Sequence, residues 1–256
     1  MDAPVPPLHQ FTLPLDVTTA DCQAGFTASI PAILRWLQEA AGRHAERLGV
    51  GLQALQQQGL TWMLGRMSLT LFRSPTWQES LRLVTWPSGI KGRLVAERQF
   101  VLETTAGEIL LQASSEWLCV NLEAGRLAPL PDGVKALAHP NTQSFNLCHG
   151  KLPAPSADQS PLATATFGVR RQEIDANHHV NNVHYAEWMQ ETLPEALFFH
   201  QTPTAFDIEF KRSATLGDSV VSTTTALDDH TFYHAIRLPD GSLLARAIAH
   251  YPTPRD

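Results

Sequence analysis

The feature of this 256-residue sequence that most constrains its fold is an internal repeat. The segment beginning at Val17 aligns without gaps with the segment beginning at Val169, at an offset of 152 residues. The best match places Trp36 and the three residues after it (WLQE) on Trp188 and its followers (WMQE). Since a repeated pattern indicates a repeated structural unit, the chain should contain two similar halves.

Two further alignments occur in the same order along the chain. The segment from Met67 matches the one from Phe206 at an offset of 139, and the segment from Gly107 matches the one from Gly241 at an offset of 134. The drop from 152 to 139 means that the first copy has extra residues after its helix. The Gly- and Gln-rich segment 49–60 is the candidate insertion.

Each copy is predicted to contain a short strand, an amphipathic helix and several alternating strands, which is an α+β arrangement. Ser29 should cap the first helix, with Pro31 in its first turn, and the second helix should cover about Val183–Leu193. Period-2 alternation predicts strands near 64–71, 80–86, 95–102 and 108–120, then 206–211, 220–226, 231–238 and 243–251. The Pro- and Ser-rich stretch Leu130–Pro161 is interpreted as a linker.

Composition excludes several classes of protein. Hydrophobic residues make up 43% of the chain, which argues against global disorder, and no apolar run approaches the roughly 20 residues of a membrane helix. A net charge of −6 without a Lys/Arg run argues against a nucleic-acid binder. The N-terminus resembles neither a signal nor a transit peptide, so we expect a cytoplasmic protein. Three widely spaced cysteines predict neither a disulfide framework nor a metal pair.

The densest group of chemically useful side chains immediately precedes the second helix. Asp175, Asn177 and His179 alternate along an extended segment, so their side chains should face one side together. The N–H groups at a helix start can stabilise an oxyanion, which makes this a candidate catalytic site. The repeat equivalents of these three residues carry different chemistry: Gln23, Gly25 and Thr27. Only the second copy is therefore equipped for acid–base catalysis.

The same segment is open to other interpretations. Asp and Asn also cap helices and form turns without any catalytic role. His178, His179 and His184 could suggest a metal, but adjacent residues of an extended segment point to opposite sides, and HExxH is absent. The GxSxG elbow of α/β-hydrolases is also absent. We therefore expect water as the nucleophile and no metal or other cofactor.

The motif DANHHVNNVHYAEW, which begins at Asp175, resembles the D-x-N-x-H-V-N-N-x-x-Y-x-x-W signature of acyl-acyl-carrier-protein (acyl-ACP) thioesterases. Stretches of the first half, including LQEAAGRHAERLG and TWPSGIKGR, also resemble that family. The resemblance implies a tandem hot-dog fold, in which each of two antiparallel sheets wraps round a helix. The implied domains are residues 1–130 (acyl-chain binding), a linker 131–161, and residues 162–256 (catalytic). The missing transit peptide favours the bacterial type.

The resemblance also implies an activity, hydrolysis of fatty acyl-ACP to free fatty acid and ACP, with Asp175, Asn177 and His179 as catalytic residues. Two positions depart from the family pattern. Where the family commonly has a Glu after strand EY-[RL]-[RK], this chain has Ser213, which we expect at most to position water. The family's Arg-Asp-Phe is Arg98-Gln99-Phe100 here, which the sequence does not explain.

Two further groups of residues follow from the implied function. The first half should bind the acyl chain, with four candidate residues: Leu37, Ala41, Trp62 and Met67. An acidic ACP needs a basic landing surface, with four candidates near the site: Arg170, Arg171, Lys211 and Arg212. The alternatives left open are an acyl-CoA thioesterase and a non-catalytic acyl-carrier or lipid-binding module with a decayed site. The sequence also leaves open a homodimer.

Overall fold

The computed structural model describes residues 9–138 and 142–252. They group into two compact units that are not consecutive in sequence. The first unit contains residues 9–17, 35–69, 78–138 and 142–149, and the second contains 18–34, 70–77 and 150–252. The domain boundaries expected at residues 130 and 161 stay a prediction.

The first unit contains an antiparallel sheet of five main strands in the order β1-β3-β4-β5-β2, with a short sixth strand paired to β5. Its register brings Leu83 of β3 opposite Leu102 of β4, and both are fully buried. The elements that lie wholly or mainly in this unit are as follows: β1 (Phe11–Asp16), α1 (Ile30–Arg47), α2 (Leu52–Gln56), β2 (Leu60–Leu71), β3 (Ser80–Lys91), β4 (Val95–Thr104), β5 (Ile109–Asn121), β6 (Arg126–Ala128) and α3 (Asp132–Lys135).

Helix α1 begins where the sequence predicts. The Ser29 hydroxyl accepts a hydrogen bond from the Ala32 N–H at 3.2 Å, so Ser29 is the N-cap. The helix ends at Arg47, and Gly49 then takes a left-handed φ of 71°, which favours glycine after a helix. The apolar face predicted from Leu37 and Ala41 is buried. α2 lies within the extra segment of the first copy.

The second unit has the same plan, with a five-stranded antiparallel sheet in the order β8-β11-β10-β9-β7. Helix α4 packs against β9 and β10, which confirms the predicted combination of helix and sheet. The sequence did not predict the short helix α5. The elements of this unit are β7 (Ala163–Gly168), α4 (Asn182–Gln190), α5 (Glu195–His200), β8 (Ala205–Phe210), β9 (Ser219–Ala226), β10 (Thr231–Arg237) and β11 (Leu243–His250).

A pair of equivalent backbone hydrogen bonds supports the repeat. The Val180 N–H donates to the Ala214 carbonyl at 2.9 Å, and the Ala28 N–H donates to the Pro75 carbonyl at 2.8 Å. Val180 and Ala28 are 152 residues apart, whereas Ala214 and Pro75 are 139 apart. Both offsets inferred from the sequence therefore describe equivalent structural positions.

The stretch predicted as a linker contains more structure than expected. It includes α3, and its residues 143–149, here called the strap, are bound to side chains of the first sheet. Trp86 Nε1 donates to the Gln143 carbonyl at 2.8 Å, and Lys91 Nζ donates to the Cys148 carbonyl at 3.0 Å. An irregular segment needs such partners because its backbone makes no ladder of its own.

Gln99 lies at the centre of the strap contacts and is 1% exposed. Its Oε1 accepts hydrogen bonds from the Phe145 N–H at 3.1 Å and the Ser114 hydroxyl at 2.6 Å, and its Nε2 donates to the Ser88 hydroxyl at 2.8 Å. An amide supplies both an acceptor and a donor, whereas a carboxylate would supply only acceptors and a buried charge. These contacts explain Gln99 in place of the family Asp.

Gln99→Leu should lower the free energy of unfolding by about 2 kcal/mol or more, because it leaves several buried polar groups without a partner. Urea unfolding of the variant tests this. The matched control is Gln112→Leu, since Gln112 lies on the same face of the neighbouring strand and makes none of these bonds. Equal effects of the two substitutions would contradict the role given to Gln99.

Within the described parts of the chain, no helix has both the length and the hydropathy needed to cross a membrane.

Candidate active site

The candidate catalytic residues lie in a tight loop that joins Ile174 to Val180. These two residues form an antiparallel bridge. Inside it, the Asp175 N–H donates to the His179 carbonyl at 2.8 Å and the His178 N–H donates to the Asp175 carbonyl at 3.0 Å. His178 has a φ of 60°, a left-handed conformation that a non-glycine residue adopts at a cost. The loop is therefore a defined turn.

The carboxylate of Asp175 organises this turn. Its Oδ1 accepts hydrogen bonds from the Asn177 N–H at 2.8 Å and from the His179 N–H at 3.4 Å. One carboxylate oxygen of Asp175 thus holds the backbone N–H groups of Asn177 and His179. The extended segment predicted for these residues is wrong, because the chain reverses direction between Ile174 and Val180. Asp175 and Asn177 are half-buried and His179 is exposed. A half-buried carboxylate and an exposed imidazole are both groups that can orient a water molecule and exchange protons with it.

The loop leads directly into helix α4, as the sequence predicts. Asn181 is the N-cap, and its Oδ1 accepts a hydrogen bond from the Val183 N–H at 3.1 Å. A helix start of this kind presents N–H donors and a positive dipole end toward the residues before it.

Glu173 anchors the loop, and the sequence analysis missed it. Its side chain is fully buried and accepts hydrogen bonds from the Arg170 N–H, Nε and Nη2 at 2.7, 2.7 and 2.5 Å. Its carbonyl accepts from the Asn181 N–H at 2.9 Å. The hydrogen bond to Glu173 raises the pKa of Arg170. The three-residue spacing of a capping box was the signal that could have identified this pair.

Ser213 follows β8 by three residues and directly precedes Ala214, which bonds to the loop. The next residue, Ala214, donates its N–H to Tyr185 Oη at 2.8 Å and accepts from the Val180 N–H. Burial raises the pKa of Tyr185 to about 12, so the phenol stays protonated at neutral pH. Ser213 itself is exposed. Its backbone position is thus fixed through Ala214, while its side chain faces solvent.

The four predicted carrier-binding residues differ in their surroundings. Arg170 pairs with Glu173, and Lys211 Nζ lies 2.8 Å from Glu209 Oε2. Arg171 and Arg212 are exposed and form no ion pair within residues 9–138 and 142–252. Arg171 and Arg212 are therefore the two candidates whose side chains form no ion pair in this part of the chain, and Arg171 lies just before the loop in sequence.

The four predicted acyl-binding residues belong to the first unit. Leu37, Ala41 and Met67 are at most 3% exposed. Trp62 instead packs against the buried cluster around Val50, and its Nε1 donates to the Val50 carbonyl at 2.8 Å. These residues are core residues of the unit, and their contact with an acyl chain stays a prediction.

The equivalent loop of the first copy keeps the turn but uses its side chains differently. Phe26 has a φ of 57°, like its equivalent His178. Gln23, which corresponds to Asp175, donates from Nε2 to the Gln201 carbonyl at 3.4 Å and to the Thr202 hydroxyl at 3.3 Å. Gln23 therefore has a structural role, in agreement with the predicted asymmetry between the copies. No group of three or more His, Cys, Asp or Glu side chains in the described residues is placed to hold a metal.

Comparison with known families agrees with this geometry. Residues 9–137 match the model of the acyl-ACP thioesterase N-terminal domain, and residues 157–252 match that of the C-terminal domain. The chain belongs to the acyl-ACP thioesterase family.

Its relatives include plant proteins. The palmitoyl-acyl carrier protein thioesterase of Cuphea hookeriana is 27% identical over 236 residues, which cover 86% of this chain and 57% of the relative. The oleoyl-acyl carrier protein thioesterase of Coriandrum sativum is 29% identical over 215 residues, or 78% of this chain and 58% of the relative. The chain thus spans less than two thirds of the length of these relatives.

Solved structures support the fold. An acyl-ACP thioesterase from Bacteroides thetaiotaomicron superposes with a TM-score of 0.84 at 20% identity, covering 95% of this chain and 98% of the other. The 12:0-ACP thioesterase from Umbellularia californica gives 0.83 at 24% identity, with coverage of 95% and 97%. These likenesses confirm the predicted tandem hot-dog fold.

Asp175→Asn should lower turnover about 10²-fold or more with little change in stability, because asparagine keeps the Oδ1 acceptor of the turn but removes the charge. His179→Ala should cause a loss of similar size. Initial rates of thioester hydrolysis, together with thermal unfolding, test both.

The matched control is Thr27→Ala, since Thr27 is the repeat equivalent of His179. A loss for Thr27→Ala as large as that for His179→Ala would contradict a single active copy.

Proposed function

We propose that this protein hydrolyses the thioester of fatty acyl-ACP to a free fatty acid and ACP. The observation that carries the proposal is the turn in which one oxygen of Asp175 holds the backbone of Asn177 and His179 at the start of α4. The relatives named for acyl carrier protein thioesterase activity support the substrate class.

The proposed reaction uses water and the protein's own side chains. Water adds to the carbonyl carbon of the thioester, the carbon–sulfur bond breaks, and the carrier sulfur leaves as a thiol after protonation. Asp175 orients or deprotonates the water, Asn177 positions the water or the thioester, and His179 transfers protons. N–H groups at the start of α4 are suited to stabilise the oxyanion that forms.

Different residues of the protein are assigned to the acyl chain and to the carrier protein of acyl-ACP. We assign the acyl chain to the first unit, where Leu37, Ala41 and Met67 lie in the apolar core. We assign the acidic carrier to the basic residues near the loop, chiefly Arg171. The cytoplasmic location, the homodimer and the linker boundaries inferred from the sequence stay predictions.

Purified protein should release fatty acid from acyl-ACP without added metal, and a chelator should leave the rate unchanged.

Arg171→Glu should slow this reaction several-fold at low salt and spare hydrolysis of the same acyl chain on CoA, because electrostatic steering acts on the acidic carrier. Rates on both substrates across a range of salt concentrations provide the measurement.

Three results would count against the proposal. Faster hydrolysis of acyl-CoA than of acyl-ACP at equal chain length would favour an acyl-CoA thioesterase. Stable binding of acyl-ACP without turnover would favour a carrier-binding module. Loss of activity in chelator, restored by one metal, would overturn the cofactor-free mechanism.

Ser213→Ala should keep most of the activity, because a hydroxyl is not a base at neutral pH and the residue's backbone is held through Ala214. Ser213→Glu places a carboxylate where the family commonly has one, and it should keep or raise the rate. Turnover of both variants is measured beside Asp175→Asn. Abolished activity in Ser213→Ala at normal stability, with Asp175→Asn still active, would reverse the roles assigned to the two residues.

A further inference from the structure

Arg98 is a buried guanidinium in the first unit that forms no ion pair with any carboxylate of the described residues. The residue lies on β4 and is 8% exposed. Its Nη1 contacts His44 Nδ1 at 3.0 Å and donates to the Thr85 hydroxyl at 3.2 Å. Within the described residues these are its hydrogen-bond partners, and both are uncharged at neutral pH.

Burial determines the charge states of Arg98 and His44. Burial lowers the pKa of Arg98 to about 10, so the guanidinium is still protonated at neutral pH. Burial and then the charge of Arg98 lower the pKa of His44 to about 4, so its imidazole is neutral and accepts through Nδ1. The group therefore carries one positive charge without compensation. A buried charge of this kind is costly, and an apolar side chain of similar volume would be more stable.

The remaining donors of Arg98 have no hydrogen-bond partner among the described residues and are not sealed from solvent. Among the described residues, the one side-chain nitrogen or oxygen that is both sealed from solvent and without a partner is Gln201 Oε1. The Nε and Nη2 groups of Arg98 make no hydrogen bond to a described residue, so they border space that water can enter. A further polar residue lies nearby, since Ser115 of β5 is the register partner of Arg98 and is 1% exposed. Arg98 therefore has unused donors within a polar strip of an otherwise apolar interior.

We propose that Arg98 binds a carboxylate at the far end of an acyl chain, so that carboxylate-ended chains are substrates in addition to methyl-ended ones. This inference rests on the proposed function and on the assignment of the chain to the first unit. A guanidinium fork matches a carboxylate with two parallel N–H···O bonds, and the pair would neutralise the buried charge. The thioester chemistry at the other end of the substrate is unchanged.

The test compares two acyl-ACPs of equal length, one ending in a methyl group and one in a carboxylate. The measured quantity is the ratio of their kcat/KM values. For the natural protein we expect the two values to lie within about tenfold of each other. Arg98→Gln should lower the carboxylate-to-methyl ratio by about 10- to 100-fold, in line with the loss of a charge-assisted hydrogen bond.

Two further variants make the test specific. Arg98→Lys keeps a cation but loses the fork, so the ratio should fall less than in Arg98→Gln. Arg82→Gln is the matched control, because Arg82 lies on neighbouring β3 but is exposed and pairs with Glu103 at 2.9 Å. That variant should leave the ratio unchanged. A natural protein that disfavours the carboxylate-ended chain by more than about 100-fold, or an unchanged ratio in folded Arg98→Gln or Arg98→Lys, would overturn the inference.

A binding measurement separates this inference from the proposed function. The probes are a long-chain dicarboxylic acid monomethyl ester and the corresponding dimethyl ester, titrated into the natural protein by calorimetry. The monoester should bind at least tenfold more tightly, and equal affinities would overturn the role of Arg98. If neither acyl-ACP were hydrolysed while the monoester still bound more tightly, the proposed function would fail and the carboxylate site would stand.

Discussion

The ion pair between the buried carboxylate of Glu173 and the exposed side chain of Arg170 is the interaction on which the candidate site depends. The carboxylate of Glu173 is inaccessible to solvent and satisfied by three N–H donors of Arg170, which removes the penalty of an unpaired buried charge. The carbonyl of the same residue accepts from Asn181, and Asn181 caps α4. A single anchor therefore fixes the start of the loop and the start of the helix, and the seven residues between Glu173 and Asn181 are confined to a short, closed turn.

The sequence predicted the fold well because the same order of helix and strands could be seen in both copies of the repeat. The strands near 80–86 and 220–226 are present, and the helix capped by Ser29 begins as expected. The catalytic roles of Asp175, Asn177 and His179 stay predictions, although their position just before a helix was predictable from the sequence. The strands and helices followed from local order along the chain, since spacing of two or of three to four residues determines which side chains share a face.

The parts that the sequence did not predict depend on contacts between distant residues. Gln99 looked like an unexplained departure from a motif, and its meaning lies in hydrogen bonds to Phe145 and Ser114, which are 46 and 15 residues away. Arg98 likewise gave no sign that its partners would be a histidine 54 residues earlier and a threonine on the next strand. Pairings of this kind are set by sheet register and tertiary packing, which a local pattern does not encode.

The loop of the first copy and the candidate catalytic loop of the second copy can be compared residue by residue. Phe26 and His178 share a left-handed backbone, so the fold requires that turn whether or not the loop is catalytic. Gly25, however, has a φ of 82°, while its equivalent Asn177 is not among the residues with positive φ. The two loops therefore differ in main-chain path as well as in their acid–base side chains. Replacing Gln23, Gly25 and Thr27 with Asp, Asn and His would therefore not by itself reproduce the second loop, because the backbone of the first loop follows a different path.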